Sequence, residues 1–380
     1  MKPLSHIWSL TCTVIALVVA ACLVLAAYGG HIDPRTWTLP SMFTLAFPII
    51  ATIAAVAAVM FLPLRQWRCV AILAVALAVC WPTSRMLFPM HFSSTPTATD
   101  TAGTFRVLTF NVRGFGDEGY SREPSSTMRY ILDQNADFVI TQETALGPKD
   151  FTDTERVKSM KEEINRLYPY HSHGYHDLAI LSKHPYKVLE DTTLKQGWMS
   201  PDNIHNEYHF YAKAFDIQLP QGRQLRIIGV HLQSIGLSDG DKELYMQITR
   251  LDKETRQQMS EVRHSLMSKV ASAYRRRAAE ADQLRTIIDQ GPANVIVCGD
   301  FNDTPASYCY NTVRGDDMHD AWQDCAFWPT YTYNANRFYF KIDHMLYRGD
   351  LRATDVSSDR AGCSDHYPIL ATFEWTENNQ

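Results

Sequence analysis

Five short polar clusters, each ending or bordering an apolar run, hold the residues in this 380-residue chain best suited to chemistry. "LTFNVRGFG" breaks at Asn111, "FVITQET" at Gln142 and Glu143, and "IIGVHLQS" at His231. "NVIVCGDFND" breaks at Asp300 and Asn302, and "CSDHYP" sets Asp365 and His366 before a final apolar run. Each cluster alone has an ordinary explanation. Asn111 and Asn302 suit turns, Glu143 suits the start of a helix, and His231 suits a hydrogen-bonded place in the core. Strand ends of one α/β domain can converge on one rim, however, and that rim would then carry carboxylates, carboxamides and two imidazoles with no thiolate. Such a donor set suits a hard cation, Mg²⁺ or Mn²⁺, rather than zinc. Histidines beside such an ion suit phosphate chemistry, as hydrogen-bond donors or as acid and base.

Runs rich in Val, Ile, Phe, Tyr and Thr must position these groups. The pattern predicts strands over Phe105–Val112, Asp137–Thr141, Leu178–Ser182, Tyr208–Ile217, Gln224–Leu232, Asn294–Cys298, Phe338–Tyr347 and Pro368–Trp375. Helical periodicity falls over Ser125–Asn135, Asp153–Leu167 and a long stretch around Asp241–Gln290. Strands mixed with helices indicate one α/β or α+β domain over 104–376. No internal repeat is visible. Arg275–Arg277 reads as the solvated face of a helix or as a patch for phosphate or lipid headgroups.

In this order, the clusters resemble the endonuclease/exonuclease/phosphatase superfamily, over Thr104–Thr376. The resemblance implies a four-layer α/β sandwich of two packed sheets with outer helices, and hydrolysis of phosphate esters. Carried over by position, Glu143 resembles the main metal-ligating carboxylate, with Asn111 and Asp365 as its neighbours at the ion, directly or through water. Asp300 resembles the residue that orients or deprotonates the attacking water, and Asn302 the carboxamide that holds Asp300 and the phosphate. His231 and His366 resemble the pair contacting the scissile phosphate, and Asp343 in "FKIDHMLY" the carboxylate orienting the last histidine. Asp177, beside His176, either orients His231 or sits in a turn or at a sheet edge. The family often shows Arg-Ile-Asp-Tyr where this chain has Lys341-Ile342-Asp343-His344, so substrate contacts from Lys341 and His344 do not carry over. His231 and the Asn111–Gly116 stretch resemble the deoxyribonuclease and sphingomyelinase-like branches. The substrate classes implied are nucleic acid, a phospholipid headgroup or an inositol phosphate. A catalytically inactive membrane-binding module is the alternative of another class, and the full set of site residues argues against it.

Residues 1–90 read as a membrane region joined by a Ser/Thr/Pro-rich linker, 91–103. Ile7–Tyr28 and Ser41–Leu62 are each long enough to cross about 30 Å of hydrocarbon; Cys69–Phe88 is a weaker third candidate, its clean apolar run stopping at Trp81 before Pro82, Ser84 and Arg85. A cleaved signal peptide is the competing reading of the first. Arg65 and Arg68 lie in one short loop and Lys2 at the N-terminus, while Gly29–Pro40 holds only Arg35. Basic loops inside place the N-terminus in the cytoplasm. Three crossings then put the catalytic domain on the extracytoplasmic, periplasmic side; two would leave it inside. The first 90 residues hold five of the 36 Lys and Arg and one of the 41 Asp and Glu, which leaves 31 basic and 40 acidic residues, a net charge of −9. That balance argues against gripping a polyanion by bulk charge. No Cys-x-x-Cys occurs among the eight cysteines, which argues against a zinc or thioredoxin-like site. Cys309–Cys325 is a possible pair outside the cytoplasm; free buried thiols are the alternative. No obligate protein partner is implied.

Overall fold

The computed structural model describes residues 2–91, 103–116, 126–144, 158–172, 177–189, 212–219, 222–236, 256–335 and 339–376. The chain forms two compact units. One comprises Met1–Phe88 with Ser234–Ala279 and Thr304–Thr312; the other comprises Pro89–Gln233, Glu280–Asp303 and Val313–Gln380.

In the first unit one helix, Lys2–Tyr28, contains a stretch long and apolar enough to cross a membrane. The second and third expected spans are not straight. Thr38–Leu45 and Phe47–Phe61 meet at 64°, as do Trp67–Val79 and Trp81–Leu87, so the count is three only if each bent pair is one span. Pro48 and Pro82 sit near the start of the second helix of each pair, where a missing N–H breaks the preceding ladder without leaving an orphan. Cys12, Ala16, Leu23, Phe47, Ala54, Cys69 and Leu73 pack inward. Leu10, Val14, Val18, Ile49, Ile53, Val56 and Val75 remain exposed, as lipid-facing side chains would be. The basic cluster divides: Arg275 and Arg276 are exposed, while Arg277 is buried with its guanidinium over the Tyr274 ring.

The second unit is an α/β fold of two mixed six-stranded sheets. The strands are β1 (Thr104–Asn111), β2 (Phe138–Gln142), β3 (Tyr170–His171), β4 (Ala179–Ser182), β5 (Tyr186–Leu189) and β6 (Ala212–Gln218). They continue as β7 (Gln224–His231), β8 (Val295–Asp300), β9 (His319–Asp320), β10 (Asp343–Arg348), β11 (Leu351–Ser357) and β12 (Ile369–Trp375). One sheet runs β11-β12-β1-β2-β4-β3, the other β5-β6-β7-β8-β10-β9. Side chains alternate along each strand. Val107, Ile140 and Ile180 of the first sheet therefore meet Phe215, Ile227, Ile296 and Met345 of the second. Leu108, Val139 and Leu181 point the other way, onto Met128, Ile131 and Ile164 of the helices Ser126–Gln134 and Lys161–Leu167. The long helix observed is Arg256–Asp289, which buries Leu284 and Ile288.

All eight expected strands have a counterpart, although Tyr208–Tyr211 and Phe338 lie outside the described residues. Strand β10 begins at Asp343, where Thr332 Oγ1 accepts hydrogen bonds from the amides of Ile342 and Asp343. None of the eight cysteines is in a disulfide, so Cys309 and Cys325 are not joined to each other.

The two central sheet positions next to the site are glycines. A Cβ on Gly229 would lie 2.7 Å from Ile140 Cγ2 of the facing sheet. Gly299, at φ +142°, has Val230 O only 2.0 Å from where its Cβ would be. Gly299→Ala is expected to cost about 2–4 kcal/mol through this clash and the left-handed backbone, and to lower the thermal melting midpoint.

Candidate active site

Pairing register gathers the polar strand ends. Asn111 lies opposite Gln142 in the parallel β1–β2 pair. Asp300 lies opposite His231 on one side and Asp343 on the other. The apolar runs are buried on both faces, and the polar residues that end them, Asn111, Gln142 and Asp300, are themselves buried and held by hydrogen bonds.

Asp300 is at the centre. Its Oδ2 accepts from Asn111 Nδ2 at 3.2 Å and faces His366 Nε2 at 3.7 Å and His231 Nε2 at 3.9 Å. Its Oδ1 accepts from the Asn302 amide at 2.7 Å. Each imidazole is held from behind by a carboxylate. His366 Nδ1 bonds Asp343 Oδ2 at 2.9 Å, and His231 Nδ1 bonds Asp177 Oδ2. The carboxylates fix the Nδ1–H tautomers and aim both Nε2 atoms at Asp300. Asp177 thus takes the orienting place, and its other oxygen accepts from the Glu143 amide at 3.1 Å. His176 lies outside the described residues.

The electrostatics follow from this geometry. Burial opposes protonation of both histidines, but the carboxylates outweigh it. Asp177, with Asp300 and Glu143, lifts His231 to about 9, and Asp343, with Asp300, lifts His366 to about 10. Burial and Asp343 raise Asp300 to about 6, against the pull of the two imidazoles. Near neutral pH the centre therefore holds an ionised Asp300 between two imidazolium groups. In the metal-free protein the ring resonances of His231 and His366 are expected not to titrate between about pH 6 and 8, where an ordinary histidine would. An NMR titration of ring nitrogens checks this.

The other expected residues surround this centre. Glu143 accepts from Asn111 Nδ2 at 2.9 Å, and its side chain is 41% exposed, open to a ligand. Asn111 Oδ1 accepts from the Arg113 amide at 3.2 Å, so Asn111 acts here as a donor bridging two carboxylates. Asp365 lies 3.5 Å from Arg113 Nη1. The carboxamide of Asn302 donates to Leu232 O at 2.9 Å, and it is the backbone N–H of Asn302, not its side chain, that holds Asp300. Among the described residues, Asp300, Asp343 and His366 offer ligand atoms within 4.8 Å of one another. The His366 Nδ1–Asp343 Oδ2 hydrogen bond already engages one donor atom of each of these two residues. Glu143 and its neighbours, with accessible hard oxygen, fit a divalent cation better.

Backbone strain concentrates at the same rim. Of the six non-glycine residues with positive φ among those described, Arg113, Phe115, Glu143 and Asn302 flank the site. Such conformations cost about 1–3 kcal/mol each and persist where the surroundings impose them. Phe115 is fully buried, and the Gly114 amide donates to Glu143 O at 2.8 Å.

Sequence reasoning missed Ser364 and Thr332. Ser364 Oγ donates to Asn111 O at 2.8 Å and accepts from the His366 amide at 3.2 Å, which ties the last motif to the end of β1. Its place in Ser-Asp-His was the available signal. Thr332 lies in a Tyr-rich loop and carried none.

This architecture and site define a class. The Endonuclease/Exonuclease/phosphatase family matches residues 108–366, and the chain belongs to that family. It is accordingly a phosphoric ester hydrolase of a group whose enzymes are generally dependent on divalent metal. Residues 9–87 match a family described as a domain of unknown function. No curated protein matches the chain. Similar solved structures include the human Nocturnin catalytic domain with bound sulfate anion, at 16% identity and TM-score 0.46, covering 73% of this chain and 97% of that one. Another is D. rerio TDP2 complexed with single strand DNA product, at 16% identity and TM-score 0.45, covering 72% and 100%. A third is the family protein from Leptotrichia buccalis, at 13% identity and TM-score 0.46, covering 71% and 100%.

Proposed function

We propose that this protein is a membrane-anchored phosphodiesterase dependent on Mg²⁺ or Mn²⁺, of endonuclease type, with a catalytic domain over 104–376 and a membrane region over 1–90. The observation that carries the reading is a buried Asp300 set between two imidazoles, each backed by its own carboxylate. Glu143, with Asp365 and Asn111, would hold the ion, Asn111 by turning its carboxamide oxygen inward. When bound, a divalent ion supplies charge neutralisation at the phosphate oxygens. Asp300 takes the proton of a water molecule and directs it in line at phosphorus. His231 and His366 donate hydrogen bonds to the phosphate oxygens, and one of them delivers a proton to the leaving oxygen. Asn302 holds Asp300 through its backbone N–H, while its carboxamide anchors the turn to Leu232 O. No covalent enzyme intermediate is required.

The Asn111–Gly116 motif supports the nuclease reading. The anchor supports a second one, in which the substrate is a phospholipid headgroup held near the same bilayer. A panel of DNA, RNA, sphingomyelin, phosphatidylinositol phosphates and p-nitrophenyl mono- and diesters, assayed with the full chain in detergent and Mg²⁺ or Mn²⁺, separates them. Turnover of nucleic acid alone supports the first reading and turnover of lipid alone the second. No turnover, together with no divalent-ion binding by calorimetry, would make the chain the inactive binding module.

An extracytoplasmic catalytic domain is supported by the loop charges: with Lys2, Arg65 and Arg68 on the cytoplasmic side, three crossings would leave the domain outside. Alkaline phosphatase fused after Gln380 is expected to be active in a bacterial host, and a dark fusion there would reverse the topology.

A further inference from the structure

A buried charged chain lies directly behind the catalytic strand end, made of residues outside the hydrolytic set. Lys341 Nζ pairs with Asp320 Oδ2 at 3.2 Å, with side chains only 2% and 0% exposed. The same Nζ lies 3.4 Å from His344 Nδ1. His344 Nε2 lies 2.9 Å from Asp303 O. A carbonyl oxygen only accepts, so Nε2 carries the hydrogen, and Nδ1 is left with the lone pair that accepts from the ammonium. At the far end Asp320 Oδ1 accepts from the amides of Trp322 and Gln323, capping the helix Ala321–Cys325. The His344 ring also packs edge-on against Phe301, centroids 5.0 Å apart.

Two of these three contacts of His344, those with Phe301 and Asp303, fall within residues 300–303. Phe301 and Asp303 bracket Asn302, which sits in the left-handed conformation and whose amide holds Asp300. A fully desolvated ion pair is seldom worth more to stability than apolar side chains of the same volume. Its polar reach to a backbone carbonyl of the catalytic turn is what apolar side chains could not supply.

We propose that Asp320, Lys341 and His344 are positioning residues which hold the Asp300–Asp303 turn in its reactive geometry through the Asp303 carbonyl. The inference rests on the hydrolase reading for its kinetic consequence, not for its structural one. Lys341 and His344 occupy positions where the family motif differs, and their burial gives them work behind the site rather than on the substrate.

The test compares His344→Leu, which keeps volume and loses the donor, with His344→Gln, which keeps an N–H that can reach Asp303 O. Both are measured in the full chain in detergent, by steady-state kinetics on a p-nitrophenyl phosphodiester and by hydrogen–deuterium exchange over residues 299–303. His344→Leu is expected to lower kcat by about 10- to 100-fold, as a small misplacement of reacting groups does. KM should stay within about twofold, because the phosphate contacts of the other strand ends remain. Exchange over 299–303 should rise in the Leu variant and stay near wild type in the Gln variant. Wild-type kcat and exchange in His344→Leu would overturn the proposal, as would equal losses in both variants that follow their melting temperatures. If His344→Leu does not fold, the Lys341→Met, Asp320→Asn pair, which removes both charges together, takes its place with the same expectations. If the wild type hydrolyses nothing, exchange alone decides. Faster exchange in Leu but not Gln would then sustain the positioning role while the hydrolase reading failed.

Discussion

Asp300→Asn is expected to lower kcat by about 10³-fold or more while leaving the melting temperature near that of the wild type. The substitution keeps the shape of the group and its hydrogen bond from the Asn302 amide. It removes the one basic oxygen that faces both imidazoles and Asn111. Asp300 is buried, and burial raises its proton affinity. That makes it a better base than an exposed aspartate, and the two imidazolium groups keep it ionised at neutral pH. Stability should not suffer, since loss of a buried carboxylate beside Asp343 also relieves repulsion. Circular dichroism melts and initial rates on the same preparation test both halves.

The second large effect is expected at His366. His366→Gln should cost about 10²- to 10⁴-fold in kcat. Asp343→Asn should cost nearly as much, because Asp343 fixes the tautomer and sustains the proton on His366. The two losses should not add: the double variant is expected near the worse single one, as groups that act as a unit behave. Additive losses would mean that Asp343 acts on something other than His366. The corresponding pair His231 and Asp177 should show the same coupling with a different signature. Asp177 also accepts from the Glu143 amide, so Asp177→Asn is expected to weaken divalent-ion binding as well, measured by calorimetry.

How far the sequence foretold this arrangement depended on burial. The central strands β1, β2, β7 and β8 carry continuous apolar runs because both faces are covered, and their ends stood out as sudden polarity. The site residues were legible for that reason. The four strands that were not foreseen, β3, β5, β9 and β11, are the four edges of the two sheets. Two have only two residues, and β5 has only four, half-buried save for Lys187, too short a run to detect. Asp177 was ambiguous between a turn and an orienting role because only packing of one sheet on the other brings its loop to His231. The bends at Ala46 and Cys80 followed from Pro48 and Pro82, yet hydropathy alone reads through them. Lys341 and His344 look like surface chemistry in sequence. Their burial depends on Asp320, more than twenty residues away, which no local pattern reveals.

The central claim is that the Asp300 rim hydrolyses a phosphate ester with a divalent ion. The most direct measurement is hydrolysis of bis-p-nitrophenyl phosphate by the full chain in detergent, with Mg²⁺ or Mn²⁺, with a chelator, and after the ion is restored. Saturable turnover that the chelator abolishes and the ion restores, and that Asp300→Asn lacks, is the predicted result. Turnover that survives both the chelator and the Asp300 substitution would contradict it.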